Sequence, residues 1–323
     1  MRAAYLGPEG TNSHEALVAS GLEAEHVGLP TVGAVVAAVQ EGAADRALVP
    51  IENSREGAVA ATLDALVFDA PDVRIVGEIV HRVSLCLAAA ERIEPGAIRT
   101  VHSHPQATGQ CARFLATRLP AAIVVAAAST AGAVRAVAGG DALPGPAPHA
   151  AIGTRHAAAL YGALVLAERI EDDAENATRF AWIAHADGAG PLGGSGARRG
   201  LASGAGHGLA SGAGDGLASD TRNAGHTPAS DACATPPTKT ALVFWGSGDR
   251  TPGWLVDCLN EFSSRAINLT RIESRPRRVG LGSYMFFCDL EGALGSPEVA
   301  AAIAGLGAHC DAVRVLGSFP AAA

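Results

Sequence analysis

The stretch EDDAENATRFAWI (171–183) carries an acidic loop into an apolar run, and at the junction stand Asn176, Thr178, Arg179 and Phe180. A guanidinium at the mouth of a buried strand needs an anionic partner. A surface salt bridge to Asp172 or Asp173 would serve, and so would a carboxylate brought by a ligand, which the planar donor fork of arginine fits. Three further clusters stand at similar corners. In GPEGTNSHEA (7–16) a glycine turn opens a helix, so that free backbone amides together with Thr11 and Ser13 form a ready anion cradle. The lysine of a phosphate-binding loop is missing there, which counts against a nucleotide. In VPIENSREG (49–57) an apolar strand ends in Glu52, Asn53 and Ser54, a pattern equally suited to capping a helix or holding a ligand. In VHSHPQATGQC (101–111) His102 and His104 would share one face of an extended segment without a third metal ligand. The better reading is that His104-Pro105-Gln106 begins a helix and presents an imidazole and an amide. Together these corners present a guanidinium, backbone amides, hydroxyls, a carboxylate and an imidazole at turns where an anion could be met.

The elements around them are α/β. From 1 to about 186 short β-type runs (3–7, 46–51, 73–79, 83–89, 98–103, 122–127, 150–153 and 179–186) alternate with amphipathic segments, which implies largely parallel sheets with ligands beyond the carboxyl ends of strands. Residues 187–237 differ: GLASGAG occurs at 200–206 and again at 208–214, a composition that cannot bury enough surface to offset chain entropy and reads as a disordered linker. From 238 to 323 the order βαββαβ fits a ferredoxin-like sandwich, with Pro252 and Pro297 at helix starts.

Composition excludes several classes. The 323 residues carry a formal charge of −8, which disfavours nucleic acid and acidic membrane surfaces as partners. Six scattered cysteines suggest reduced, buried thiols rather than a disulfide framework. Neither a basic-then-apolar leader nor an uninterrupted apolar span is present, so a cytoplasmic protein is expected. Lys239 is the only lysine among 24 Lys and Arg residues and lies beside the linker, which disfavours Schiff-base chemistry.

In order and spacing, GPEGTNS, VPIENSREG, HPQATGQC and NATRF resemble the motifs of prephenate dehydratase. PGWLVDCLNEF (252–262), NLTRIESRP (268–276) and YMFFCDLEG (284–292) resemble the ACT regulatory domain that follows the catalytic domain in that family. The resemblance covers nearly everything outside 187–237. It implies two lobes like those of a type II periplasmic binding protein, with lobe one at about 1–77 and 165–186, lobe two at 78–164, and an ACT domain at 238–323. It also implies conversion of prephenate to phenylpyruvate, with Thr178 as hydrogen-bond donor to the leaving hydroxyl and Arg179 on a carboxylate. Glu52 or His104 would relay the proton, Thr11, Ser13, Asn53, Ser54, Gln106, Asn176 and Phe180 would surround the substrate, and no metal or organic cofactor is called for. Phenylalanine feedback would use Gly253, Trp254, Leu255, Glu273, Ser274, Arg275 and Pro276 in a homodimer or homotetramer. Two positions depart from the family pattern: Asn12 replaces an aromatic residue, and Trp254 places an indole where a methyl is usual. An arogenate dehydratase, a prephenate decarboxylase and a non-catalytic amino-acid sensor are the competing readings.

Overall fold

The computed structural model describes residues 1–188, 237–246, 248 and 251–322; the segment expected to be a linker lies, apart from its ends, outside the described residues. Lobe one begins with β1 (Arg2–Leu6), α1 (Asn12–Ala19), β2 (Glu25–Leu29), α2 (Val32–Gln40), β3 (Arg46–Asn53), the short β4 (Gly57–Ala58), α3 (Ala60–Phe68) and β5 (Val73–Arg82). Lobe two follows with β6 (Cys86–Ala89), β7 (Thr100–Ser103), α4 (Pro105–Gln110), α5 (Ala112–Arg118), β8 (Ile123–Ala126), α6 (Thr130–Gly139), β9 (His149–Gly153), α7 (Arg155–Tyr161) and β10 (Leu164–Glu168). The chain then returns through β11 (Ala177–His185) to lobe one. The ACT domain contains β12 (Thr238–Trp245), α8 (Trp254–Ser263), β13 (Leu269–Pro276), β14 (Tyr284–Glu291), α9 (Pro297–His309) and β15 (Ala312–Pro320).

Each lobe is built on a mixed sheet. Lobe one has the order β2-β1-β3-β11-β5, in which β1 runs parallel to its neighbours and β11 antiparallel to both β3 and β5. Lobe two has the order β10-β6-β9-β7-β8, with parallel pairs only about β7. The parallel sheets expected from the alternation of elements therefore hold for part of each lobe, because each chain crossing brings in a strand from the opposite direction. The expected lobe boundaries shift for the same reason. β5 pairs with β11 as far as Arg82, and β10 pairs with β6 of lobe two, so the crossings lie at 83–85 and 169–176 rather than near 78 and 165. Of the three strands absent from the sequence reading, β4 is only two residues long, and β2 and β10 contain no fully buried residue, which removes the alternation that marks a strand.

Helix ends follow local chemistry. The hydroxyls of Thr11, Thr31, Ser129 and Ser296 accept backbone N–H groups at the starts of α1, α2, α6 and α9, and Gly140 closes α6 in the left-handed region. In α8, Trp254, Cys258 and Phe262 fall on one buried stripe at helical spacing.

The ACT sheet has the antiparallel order β13-β14-β12-β15. Alternation along β12 sends Leu242 and Phe244 toward α8 and α9, whereas Ala241 and Val243 join Val49, Ile75, Ala181 and Ile183 in the core of lobe one. The uncovered face of the regulatory sheet is thus packed on the catalytic lobe. Gly317 permits the closest approach, since a Cβ there would lie 2.0 Å from the Ile75 carbonyl oxygen.

Candidate active site

Between the lobes lies a cleft of about 560 Å³. Its floor is β11, whose alternation presents Thr178 and Phe180 to the cleft side. Lobe one contributes Thr11, Asn12 and Ser13 from the first turn of α1, and Asn53 from the end of β3. Lobe two contributes His104, Gln106 and Gln110 from α4, with Ser129 and Thr130 at the start of α6. The amino ends of α1 and α6 therefore converge on the cleft and supply partial positive charge. Among the described residues that line the cleft none is arginine or lysine, and Glu56 is a carboxylate.

Thr178 is held by a buried chain of amides. Asn53 shares its two amide protons among Thr178 Oγ1 at 3.0 Å, Asn176 Oδ1 at 3.1 Å and the Ala177 carbonyl at 3.2 Å. Asn176 in turn donates to Gln110 Oε1 of lobe two at 3.0 Å. The Asn53 Oδ1 accepts the backbone N–H groups of Arg55 and Glu56, which fixes the orientation of its amide. Because Asn53 donates to Thr178, the threonine hydroxyl keeps its own proton for a group in the cleft. Gln110 did not figure among the expected site residues. It sits one turn after Gln106 in the same HPQATGQC motif, and the helical spacing of the two amides was the available signal.

Several expected residues lie elsewhere. Arg179 points to the opposite face of β11, where its Nε reaches Glu52 at 3.0 Å, Nη1 reaches Glu78 at 3.0 Å and Nη2 reaches Asp289 of the ACT domain at 2.7 Å. Burial alone would lower its pKa, but Asp289, Glu78 and Glu52 more than reverse this and hold it above the ordinary arginine value. Neither Asp172 nor Asp173 is its partner; Asp172 pairs with Arg113. Glu52 is directed to the same face as Arg179 and does not line the cleft, so it is not placed to relay a proton there. The reason for both is the period of a strand: neighbours of Thr178 and Asn53 must face away. Ser54 accepts the Ala177 N–H at 3.0 Å and stitches β3 to β11 instead of lining the cleft. Asn176 is 1% exposed and supports the cleft from behind.

His104 caps α4 by accepting the Gln106 N–H at its Nδ1, which leaves Nε2 for other partners. The other expected positions, Thr11, Ser13, Asn53, Gln106, Thr178 and Phe180, all line the cleft. Asn12, the departure from the family pattern, turns a buried Oδ1 on which no donor falls among the described residues.

In the ACT domain Gly253 takes φ +90° at the start of α8. Trp254, expected to crowd an effector pocket, is packed inward against Phe244 and Phe286, with its Nε1 donating to the His309 carbonyl at 2.7 Å. Glu273, Ser274, Arg275 and Pro276 belong to the edge strand β13, and Arg275 forms a two-point ion pair with Asp64 of α3.

The comparisons with known proteins agree with these features. The family profile described as prephenate dehydratase matches residues 3–188. A prephenate dehydratase from Mycobacteroides abscessus is 35% identical over 328 residues, covering 99% of this chain and 90% of that protein. Among solved structures, a prephenate dehydratase from Arthrobacter aurescens in complex with L-Phe superposes with a TM-score of 0.77 at 31% identity, covering 99% of this chain and 90% of the other. The prephenate dehydratase from Staphylococcus aureus subsp. aureus Mu50 gives 0.71 at 25% identity, covering 99% and 100%.

Proposed function

Because the chain belongs to the prephenate dehydratase family, we propose that it acts as a hydro-lyase converting prephenate to phenylpyruvate, with Thr178 at the centre of the reaction. The bond between the ring and its carboxylate breaks, that electron pair enters the ring, and the C4–oxygen bond breaks as aromatisation expels hydroxide. One proton is consumed, and carbon dioxide, water and phenylpyruvate leave. Aromatisation supplies the driving force, so the protein's part is to hold the ring and assist departure of the hydroxyl. Thr178 donates to that oxygen. The observation that carries this reading is the Asn53 amide at 3.0 Å from Thr178 Oγ1, which leaves the hydroxyl proton directed at the cleft. A threonine is too weak an acid to be the ultimate proton source, and His104 on the facing lobe is the candidate relay.

With no arginine or lysine among the described residues that line the cleft, the two substrate carboxylates are held by the amino ends of α1 and α6 and by Ser13, Ser129 and Gln106. A second reading, dehydration of arogenate, is favoured by Glu56, a cleft carboxylate able to meet the ammonium that arogenate carries in place of the keto group. Purified protein incubated with each acid, followed by alkaline absorbance of phenylpyruvate or amino-acid analysis of phenylalanine, separates the two. Thr178→Ala should lower kcat by roughly 100-fold or more with an unchanged melting temperature. Full activity in that variant, or no turnover of either acid by the wild type, overturns the assignment. The latter result accompanied by ligand-dependent melting would instead identify a sensor.

Regulation by L-phenylalanine, through the ACT segment containing Gly253, Trp254, Leu255 and Glu273 to Pro276, is part of the same proposal. It is supported by the bound L-Phe of the Arthrobacter aurescens relative. Assembly as a homodimer or homotetramer is in keeping with the exposed Ile272 on edge strand β13 and Leu281 beyond it. No described helix is long and apolar enough to cross a membrane.

A further inference from the structure

The residues that hold the reacting hydroxyl and those that bind the regulatory domain are consecutive in the chain. Thr178 pairs in register with Asn53 across β11 and β3, and the next pair along is Arg179 with Glu52. One pair faces the cleft and the other faces the ACT sheet. Behind the cleft, two catalytic-lobe residues, Arg179 and Glu78, are bonded to that sheet or to the segment that follows it. Arg179 reaches Asp289 on β14, and Asp289 is shared with Arg271 on β13 through contacts of 2.9 and 3.1 Å. Glu78 takes Lys239 of β12 at 2.8 Å and the backbone N–H of Ala322, just after β15, at 3.0 Å. Three carboxylates, Glu52, Glu78 and Asp289, thereby meet three cations, Arg179, Lys239 and Arg271. The Asp289 side chain is 1% exposed and that of Glu78 is 2% exposed, so salt does not screen the group as it would a surface pair.

We propose that Arg179 is a positioning residue and that its contact with Asp289 is the joint through which the ACT sheet sets the placement of Thr178. The inference rests on the reading of Thr178 as donor to the leaving hydroxyl. Its physical basis is short reach. A guanidinium held by three carboxylates has one orientation, and its Cα lies about 3.8 Å from that of Thr178. A shift of β14 against β12 changes the pull on β11 at the neighbouring residue. Transfer to a leaving oxygen tolerates displacements of only about 0.5 Å before the rate falls.

The test uses the full chain with Arg179→Lys, which keeps the charge and loses the fork, and Arg271→Lys, which alters a residue bonded only within the ACT domain. Steady-state kinetics on prephenate and hydrogen exchange of the backbone across 176–184 are measured for both. The expected result is a kcat lowered about tenfold in Arg179→Lys and a few-fold in Arg271→Lys, KM within about twofold of wild type, and faster exchange in β11. A large rise in KM with kcat preserved in Arg179→Lys would place the guanidinium on a substrate carboxylate and overturn the proposal. So would a folded Arg271→Lys protein with wild-type kcat and exchange. If the wild type turns over no prephenate, the functional reading fails by itself, and the joint then stands or falls on exchange in β11 alone. Should Arg179→Lys not fold, Glu52→Gln, altered at a side chain that is 38% exposed, carries the same readouts.

Discussion

A threonine hydroxyl can donate one proton, and which way it donates is decided by its neighbours. Asn53 presents an amide proton to Thr178 because its own carbonyl is held by the N–H groups of Arg55 and Glu56. Asn53→Asp would replace that donor by an acceptor, drawing the Thr178 proton away from the cleft. A fall in kcat of about 100-fold, read by phenylpyruvate formation, is the expected outcome, with KM changed far less. At this scale the sequence announced residue types well and directions poorly. The four polar corners of the first domain do meet at one cleft, and most of the named positions line it. The resemblance puts Arg179 on a substrate carboxylate, which its donor fork fits, and offers Glu52 as a proton relay. The carboxylates turned out to be Glu78 and Asp289, distant in sequence and invisible to any local reading. Strand alternation alone would have set Arg179 opposite Thr178.

At the scale of elements, the loop 7–10 between β1 and α1 is clasped by α7 of the other lobe. Thr154 donates to the Gly10 carbonyl at 3.2 Å, Tyr161 to the Glu9 carbonyl at 2.8 Å, and His156 Nε2 meets His14 Nδ1 at 3.1 Å. Gly10 takes φ +82°, and a Cβ there would stand 3.1 Å from that of Ala157, so a side chain would wedge the lobes. His14 also accepts the Gly10 N–H at 3.1 Å, a bond that a proton on Nδ1 would destroy. Burial, and then His156, lowers the His14 pKa against a smaller opposing effect of Glu9; His26 adds to the lowering. The folded state therefore binds a proton less readily than the unfolded chain. Stability is full above about pH 6.5 and declines as pH falls below it, because the unfolded state takes up the proton first. His102, lowered by burial and His149, acts in the same sense. Thermal melting followed between about pH 7.5 and pH 5.5 should show this decline, and His14→Gln should flatten part of it. The contacts between loop 7–10 or α1 and α7 were not legible in the sequence, since each joins residues more than a hundred positions apart.

For the whole molecule, the βαββαβ order of the ACT domain could be read from the chain because its elements are local and strongly patterned. Its seat on lobe one could not, because a half-exposed strand pattern does not say what covers the second face. Arg275 shows the consequence for regulation. If an amino-acid carboxylate uses that guanidinium, it must compete with Asp64, whose pKa burial would raise but which Arg275 and Arg278 hold below its ordinary value. Asp64→Asn should then tighten inhibition by L-phenylalanine by roughly threefold to tenfold, the weight of a partly exposed ion pair of about 1 kcal/mol, without altering turnover in its absence. Dose-response curves on the two proteins check this. The joint at Glu78 has a separate chemical corollary. Lys239 bears the sole side-chain amine of the chain, and it is bonded to a carboxylate between the domains. An acylating reagent thus finds, beyond the amino terminus, a single primary amine whose reactivity reports whether the two halves are seated or apart.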